Sequence, residues 1–288
     1  MFEKLKGWIW INGEVIPCEE ANVHIINHGL HYASSVFEGI RVYGGKIFKA
    51  KEHFERFKKS ANYLNFDVSF SVETLMEQAQ RLLEKNNLQD AYIRPIAWCG
   101  TRSMKVSTNH MDVNVAIALW NWETKPYANE GISLVVSSWR RPDPRSAPVH
   151  SKAAGLYMIS SLAKAESENK NFDDALMLDC AGNVAESTVS NVFFVKNGVL
   201  YTPIPDSFLN GITRLTVIDI AKSLGIEVVE TTILLSDMEN FQECFLTGTA
   251  LEIRPVQKIT GEDHVWNFNE RTIVDKIWEK FHQMTRGF

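Results

Sequence analysis

Three tight-turn dipeptides, each beside short apolar runs of strand character, constrain this chain more than any other feature. Asn12-Gly13 separates residues 8–11 from 14–16, Gly44-Gly45 separates 39–43 from 46–48, and Asn197-Gly198 leads into 199–201. A two-residue hairpin loop requires positive φ angles, which Asn and Gly adopt at little steric cost, so the chain is expected to fold back at each of these places. After the second turn the apolar period changes from two to 3.6. Phe54, Phe57, Ala61 and Leu64 recur at helical spacing on a charged background, and so do Val72, Leu75, Met76, Ala79, Leu82 and Leu83, with Ser71 as an N-cap and Asn86-Asn87 as a stop. Residues 91–99 and 112–120 return to strand character.

Between residues 121 and 131 the pattern breaks at Pro126, Asn129 and Gly131. We therefore expect a smaller N-terminal domain over 1–121, a connecting loop over 122–131 and a larger C-terminal domain over 132–288. The second part reads as a strand over 132–139, a loop marked by Pro142, Pro144 and Pro148, and a helix over 153–169. Strands over 175–180 and 192–195 flank a Gly182-Asn183 turn. A helix over 213–224 stops at Gly225 in the C′ manner and is followed by a strand over 226–229. The expected class is α/β (α+β) in two domains, and a chain of 288 residues with 45% hydrophobic content has enough material for both cores.

Charge and motifs exclude several functions. The formal charge is −5, with no run of Lys and Arg to track a phosphate backbone, so nucleic acid is not an expected partner. The longest apolar stretch, 113–120, is interrupted by Asn114 and falls far short of the roughly 20 residues that cross a bilayer. The opening Met-Phe-Glu-Lys-Leu-Lys lacks an apolar signal region, and a cytoplasmic location is expected. Cys18, Cys99, Cys180 and Cys244 lie far apart, which fits reduced thiols better than disulfides or a zinc site. There is no Gly-x-Gly-x-x-Gly, Walker loop, Gly-x-Ser-x-Gly or His-Glu-x-x-His.

Three places remain to carry chemistry. His24, His28 and His31 have spacings that would align on a helix and hold a metal in a non-catalytic metal-binding protein. Asn27 and Gly29 are poor helix formers, however, and no carboxylate completes the set, so local hydrogen bonding is expected there and no metal. Lys152 lies in Val149-His-Ser-Lys-Ala-Ala-Gly-Leu-Tyr157, where small residues crowd it at the start of a helix. A lysine that attacks an aldehyde needs close packing and partial desolvation, whereas a solvated surface lysine, the alternative, needs neither. Asn210-Gly-Ile-Thr-Arg214 opens a helix and Leu246-Thr-Gly-Thr-Ala250 follows a strand. Gly and Thr in such places let backbone N–H groups and a hydroxyl converge on an anion, or simply cap the helix and make a turn.

Six ordered motifs resemble those of the branched-chain amino acid aminotransferases, which are fold type IV pyridoxal-phosphate enzymes: Leu30-His-Tyr-Ala-Ser-Ser-Val-Phe-Glu-Gly-Ile-Arg41, Ala91-Tyr-Ile-Arg-Pro95, Lys152-Ala-Ala-Gly-Leu-Tyr157, Val184-Ala-Glu186 with Asn191, and the two Gly-Thr segments. The resemblance spans almost the whole chain. It implies a two-domain fold with the cofactor, pyridoxal 5′-phosphate, between the domains. The implied reaction exchanges the amino group of leucine, isoleucine or valine with 2-oxoglutarate. D-amino acid aminotransferases and 4-amino-4-deoxychorismate lyases share the fold and are the nearest alternatives.

By the same resemblance, Lys152 is the catalytic amine that bonds the cofactor aldehyde and moves the proton between Cα and C4′. Glu186 meets the pyridine nitrogen and Tyr157 the phenolic oxygen. Arg56, Ile212, Thr213, Gly248 and Thr249 hold the phosphate. Val189 stands where many relatives carry Gly, so the hydroxyls of Thr188 or Ser190 are expected to replace a backbone contact there. The substrate carboxylate is expected near Tyr92, Thr249 and Ala250, its side chain against Tyr32, Phe37, Gly39 and Trp122, and the distal carboxylate of glutamate on Arg94. Lys105 and Lys125 are further departures from the family pattern, and Tyr127 would replace a pocket tyrosine only after a loop shift. The resemblance also implies a homo-oligomer in which the Tyr32 region reaches a neighbouring subunit's site.

Overall fold

The computed structural model describes residues 6–123 and 131–287, and the chain divides into two compact units, Met1–Thr124 with Ser151–Gly155, and Lys125–His150 with Leu156–Phe288. In the first unit, Trp8–Ile11 (β1) turns through Asn12-Gly13, at φ 51° and 105°, into Glu14–Pro17 (β2). A short helix, His28–Tyr32 (α1), precedes Ser35–Phe37 (β3). Ile40–Tyr43 (β4) and Lys46–Ile47 (β5) then form the hairpin over Gly44-Gly45. Helices Ala50–Tyr63 (α2) and Val72–Lys85 (α3) follow, and Ser71 Oγ accepts from Thr74 N at 3.1 Å as the expected N-cap. Ala91–Cys99 (β6) and Val113–Asn121 (β7) complete the unit.

The strands pair antiparallel in the order β2-β1-β7-β6-β4-β5, with β3 also on β6. Strand alternation gives this sheet two chemically different faces. Ile40, Val42, Ile93 and Ile117 share one face and are fully buried. Arg41 lies opposite Tyr92, and Tyr92 opposite Trp120, on the other face, which also carries Arg94.

The second unit contains Ile132–Arg140 (β8), Tyr157–Asn169 (α4), Asp174–Leu178 (β9), Val184–Ser187 (β10), Asn191–Lys196 (β11) and Val199–Pro203 (β12). Ile212–Ser223 (α5), Val228–Thr231 (β13), Glu243–Gly248 (β14), Glu252–Thr260 (β15), Val265–Asn267 (β16) and Thr272–Arg286 (α6) complete it. The sheet runs β10-β9-β8-β15-β14-β11-β12-β13, with β16 on β15. An extra pairing, Glu186 opposite Asn191, joins β10 to β11 and closes six of these strands into a ring. Leu134, Leu176, Leu178, Val192, Phe194 and Leu246 fill one side of these strands. From the alternate positions, Val135, Ala175 and Met177 pack with Ala163 and Ile159 of α4.

Three details differ from the sequence expectation. Residues 151–155 group with the first unit and not with the C-terminal domain expected over 132–288, because Ala153 bridges Val36 and the Lys152 carbonyl accepts from Phe37 N at 3.2 Å. That pairing also delays the helix expected from residue 153: a 3-10 turn over Ala154–Leu156 precedes α4. Strand β10 was not anticipated, since four residues carrying a bulge show no clear alternation. Among the described residues no helix is long and apolar enough to cross a membrane.

Candidate active site

In the first unit the chemistry gathers around β3, β4, β6 and the Lys152 segment. Lys152 is half-buried. Its backbone N donates to Ser60 Oγ at 2.9 Å, while Ser151 Oγ donates to the Ser60 carbonyl at 2.9 Å, so α2 grips this segment on both sides of one residue. The Lys152 ammonium lies 5.1 Å from the centroid of the Phe37 ring, and the Arg94 guanidinium lies 4.7 Å from the same centroid. Arg94 also packs on Tyr92 and Trp120, at 5.4 and 5.9 Å. The Tyr92 ring meets Trp120 at 5.2 Å and Trp122 at 5.1 Å. Gly39 is required here, because a Cβ at that position would stand 1.8 Å from the Tyr92 hydroxyl.

Beneath Phe37 lies an ion cluster that sequence reasoning did not assemble. Glu38 is completely buried and accepts from Arg56 through Nε at 2.6 Å and Nη2 at 2.9 Å, and from His53 Nδ1 at 2.7 Å. Burial alone would raise the Glu38 carboxyl, but Arg56 and His53 together hold it well below the usual carboxylate range. Burial also pushes His53 down, against the pull of Glu38, and its Nδ1 donates to the carboxylate. His53, Arg56 and Ser60 are spaced i, i+3, i+7, so one stripe of α2 orients both Glu38 and the Lys152 segment. That spacing was readable in the sequence; its partners, distant along the chain, were not.

In the second unit the ring seam carries the chemistry. Val184 lies opposite Leu178, which faces the apolar interior, yet Glu186 lies opposite Met177, which faces the other way. The bulge at Ala185 makes this switch, aiming Glu186 out of the interior and onto the face of Asn191. Glu186 is 6% exposed; Arg141 Nε stands 3.3 Å from its Oε1, and Asn191 Nδ2 donates to its Oε2 at 3.2 Å. Arg141 and Asn191, which hold Glu186 here, had no role in the reading from sequence. Asn191 Oδ1 accepts from Gly211 N at 3.1 Å, which ties the seam to the start of α5.

That helix start has no side-chain cap, so the first-turn N–H groups of Ile212 and Thr213 remain available to an anion. Near it, a Cβ on Gly248 would meet Ser190 Oγ at 2.9 Å, and that hydroxyl has no protein partner among the described residues. Thr188 departs from the expectation of a phosphate-binding hydroxyl. Its Oγ1 donates at 2.7 Å to Asp174, so its one proton is already taken. Ser190 alone of that pair fits the expected role.

The predicted residues thus fall into two groups, with Tyr32, Phe37, Gly39, Arg56, Tyr92, Arg94, Trp122 and Lys152 in the first unit. Tyr157, Glu186, Thr188, Ser190, Ile212, Thr213, Gly248, Thr249 and Ala250 belong to the second. Tyr157 opens α4 half-buried, and Thr249-Ala250 forms the turn after β14, where Ala250 is exposed. Tyr32 is 45% exposed, and its hydroxyl donates to the Met104 carbonyl at 3.1 Å. Lys125 and Tyr127 lie outside the described residues. Val189 is exposed, and the Lys105 carbonyl accepts from His28 Nε2 at 2.9 Å. The three histidines bond locally: His28 Nδ1 also meets Ser34 Oγ at 2.5 Å, His31 Nε2 donates to the Ile25 carbonyl at 3.0 Å, and His24 Nδ1 accepts from Ile26 N at 3.0 Å.

The second unit thus offers an uncapped helix start suited to phosphate and a clamped acid, and the first unit offers a packed lysine. The chain belongs to the amino-transferase class IV family, whose sequence model matches residues 35–259. The probable branched-chain-amino-acid aminotransferase of Rickettsia bellii (strain RML369-C) is 46% identical over 280 residues, covering 97% of this chain and 96% of that protein. The branched-chain-amino-acid aminotransferase of Escherichia coli (strain K12) is 40% identical over 270 residues, 91% of this chain and 87% of that protein. Among solved structures, the Escherichia coli branched-chain amino acid aminotransferase matches with a TM-score of 0.91 at 38% identity, covering 98% of this chain and 95% of that one. The holo-form of the Thermobaculum terrenum branched-chain amino acid aminotransferase, which carries pyridoxal phosphate, matches with a TM-score of 0.91 at 30% identity, covering 99% and 95%. The fold is therefore the two-domain α/β fold of the fold type IV aminotransferases.

Proposed function

We propose that this protein transfers the amino group of leucine, isoleucine and valine to 2-oxoglutarate, giving branched-chain 2-oxo acids and L-glutamate, with pyridoxal 5′-phosphate as cofactor. The observation that carries this reading is the ring-lined wall of the first unit. Arg94 stands there among Phe37, Tyr92 and Trp120 and pairs with no carboxylate among the described residues. Aliphatic side chains pack on the rings, and the distal carboxylate of glutamate takes the guanidinium, so one wall serves both amino-acid classes.

The residues present fit the cofactor: the start of α5 is uncapped, Ser190 Oγ is unpartnered among the described residues, and Glu186 is a buried acid that forms an ion pair with Arg141 and accepts a hydrogen bond from Asn191. When bound, pyridoxal 5′-phosphate supplies an aldehyde for the amine and a ring that accepts electrons from the substrate Cα. Ile212, Thr213, Ser190, Gly248 and Thr249 bind its phosphate, with Arg56 oriented for the same task by Glu38. Glu186 would meet the ring nitrogen and keep a proton on it. Tyr157 donates to the phenolic oxygen. Lys152 would hold the cofactor at its aldehyde, and its amine would carry the proton taken from the substrate Cα. Tyr92, Thr249 and Ala250 orient the substrate carboxylate, and Gly39 leaves room for it beside the Tyr92 hydroxyl.

The protein acts as a homo-oligomer, a dimer or a multiple of dimers, in which the Tyr32 region reaches a neighbouring site. The exposure of Ile25, Leu30 and Tyr32 supports this. The decisive experiment adds L-isoleucine, without any keto acid, to protein loaded with pyridoxal 5′-phosphate and follows the visible spectrum. Loss of the visible band, reversed by 2-oxoglutarate, is the expected result. A band that ignores L-isoleucine and responds to D-alanine would replace this reading with a D-amino acid aminotransferase.

A further inference from the structure

We propose that Asn191 is a positioning residue that locks the acid serving the cofactor's ring nitrogen to the helix start serving its phosphate, so that both ends of the cofactor are held by one frame. The inference rests on the reading of Glu186 and α5 given above. Asn191 is 4% exposed and uses its whole amide. Nδ2 donates to Glu186 Oε2 at 3.2 Å and to the Leu209 carbonyl at 3.1 Å, while Oδ1 accepts from Gly211 N at 3.1 Å. Two donors on one side and one acceptor on the other is a pattern that only a carboxamide of this length supplies. Turning the amide over would set its oxygen against two acceptors.

The surroundings are built for this link. Asn191 lies directly opposite Glu186 as the pair that closes the ring, and the bulge at Ala185 brings the two side chains to one face. At the helix end, a Cβ on Gly211 would fall 2.2 Å from Asn191 Oδ1, so this residue must be glycine for the amide to sit where it does. Glu186 meets Arg141 Nε from the end of β8 at 3.3 Å, and its neighbour across β9 is the apolar Met177. Arg141 supplies charge to Glu186. Asn191 supplies direction, because it bonds both the acid and the start of α5.

Three variants in the pyridoxal-phosphate-loaded enzyme test this. Asn191→Asp keeps the size, replaces two donors by an acceptor and sets a second negative charge beside Glu186. Its expected effects are a dissociation constant for pyridoxal 5′-phosphate raised roughly tenfold or more, from the loss of hydrogen bonds to charged and buried partners, and a displaced pH titration of the visible band. For L-isoleucine, kcat should fall by a larger factor than KM rises. Asn191→Ala is expected to weaken cofactor binding without the added charge, and so to move the titration less. Gly211→Ala reaches the same amide from the helix end and remains informative if the Asn191 variants do not fold. A purely structural role would lower the thermal midpoint of the cofactor-free protein while leaving the band's titration in place. That pattern, or unchanged cofactor affinity in both Asn191→Asp and Gly211→Ala, overturns the inference. Failure of the unmutated protein to bind pyridoxal 5′-phosphate is a separate result, which removes the proposed function itself.

Discussion

At the scale of single residues, two neighbours in the chain do unlike work. Gly39 is there for what it lacks: adding one methyl group would drive a Cβ to 1.8 Å from the Tyr92 hydroxyl, and Tyr92 is wedged between Trp120 and Trp122. Gly39→Ala should therefore displace the ring and raise KM for L-isoleucine roughly tenfold, the cost of about 1.4 kcal/mol of overpacking, measured by steady-state kinetics. Glu38 matters for what it carries. Its folded carboxyl lies well below the unfolded value of about 4.3, despite burial, because Arg56 and His53 face it. A depressed carboxylate contributes stability above the unfolded value and loses it as pH falls through the folded one. Glu38→Gln should cost about 3 kcal/mol at neutral pH by removing the buried charge that Arg56 meets and should flatten the acid limb of a thermal-midpoint-against-pH curve. An unchanged acid limb would assign that limb to other carboxylates.

At the scale of elements, turn chemistry and period were the legible part. The three hairpins form where Asn-Gly and Gly-Gly demanded them, and α2, α3 and α5 follow their apolar spacing because each buries a continuous stripe. Strand β10 was not legible. Its sequence, Val-Ala-Glu-Ser, reads as alternating only after Ala185 is set aside as a bulge, and nothing local announces one. The same blindness hid Glu38 with Arg56 and Arg141 with Glu186, since the partners are brought together by pairing at long range. The occupied proton of Thr188 was hidden for the same reason, Asp174 being supplied by another strand. The bulge makes its own prediction. Deleting Ala185 removes the extra residue yet leaves Val184 opposite Leu178 and Glu186 opposite Met177, so the acid keeps its face, whereas straightening the bulge with Ala185 in place would turn Glu186 toward Leu134, Leu176 and Phe194. The deletion variant should keep far more of its cofactor binding, checked by absorbance after loading, than Glu186→Gln does. Equal loss in the two would mean that Ala185 does more than set the register that aims the acid.

At the scale of the molecule, the chain leaves the second unit for five residues, Ser151–Gly155, and returns. Lys152 thereby reports to a frame other than the one its sequence neighbours build. The ring of the second unit has a comparable economy, since β10 meets β11 through the single pair Glu186 and Asn191, whereas β11 and β14 share five pairs. A closure so narrow is where the ring is expected to open first. Amide hydrogens of β10 should exchange with deuterium earlier than those of β14, and loading with pyridoxal 5′-phosphate should slow β10 selectively, as mass spectrometry of its peptides would show. Equal protection of both strands in the empty protein would argue against a weak seam. A ligand present at a hundredfold its dissociation constant adds about 2.7 kcal/mol to the folded state, and here that gain would fall on the joint that needs it. The lifetime of the protein in a cell would then follow the supply of its vitamin, with empty copies cleared by proteases while filled ones persist.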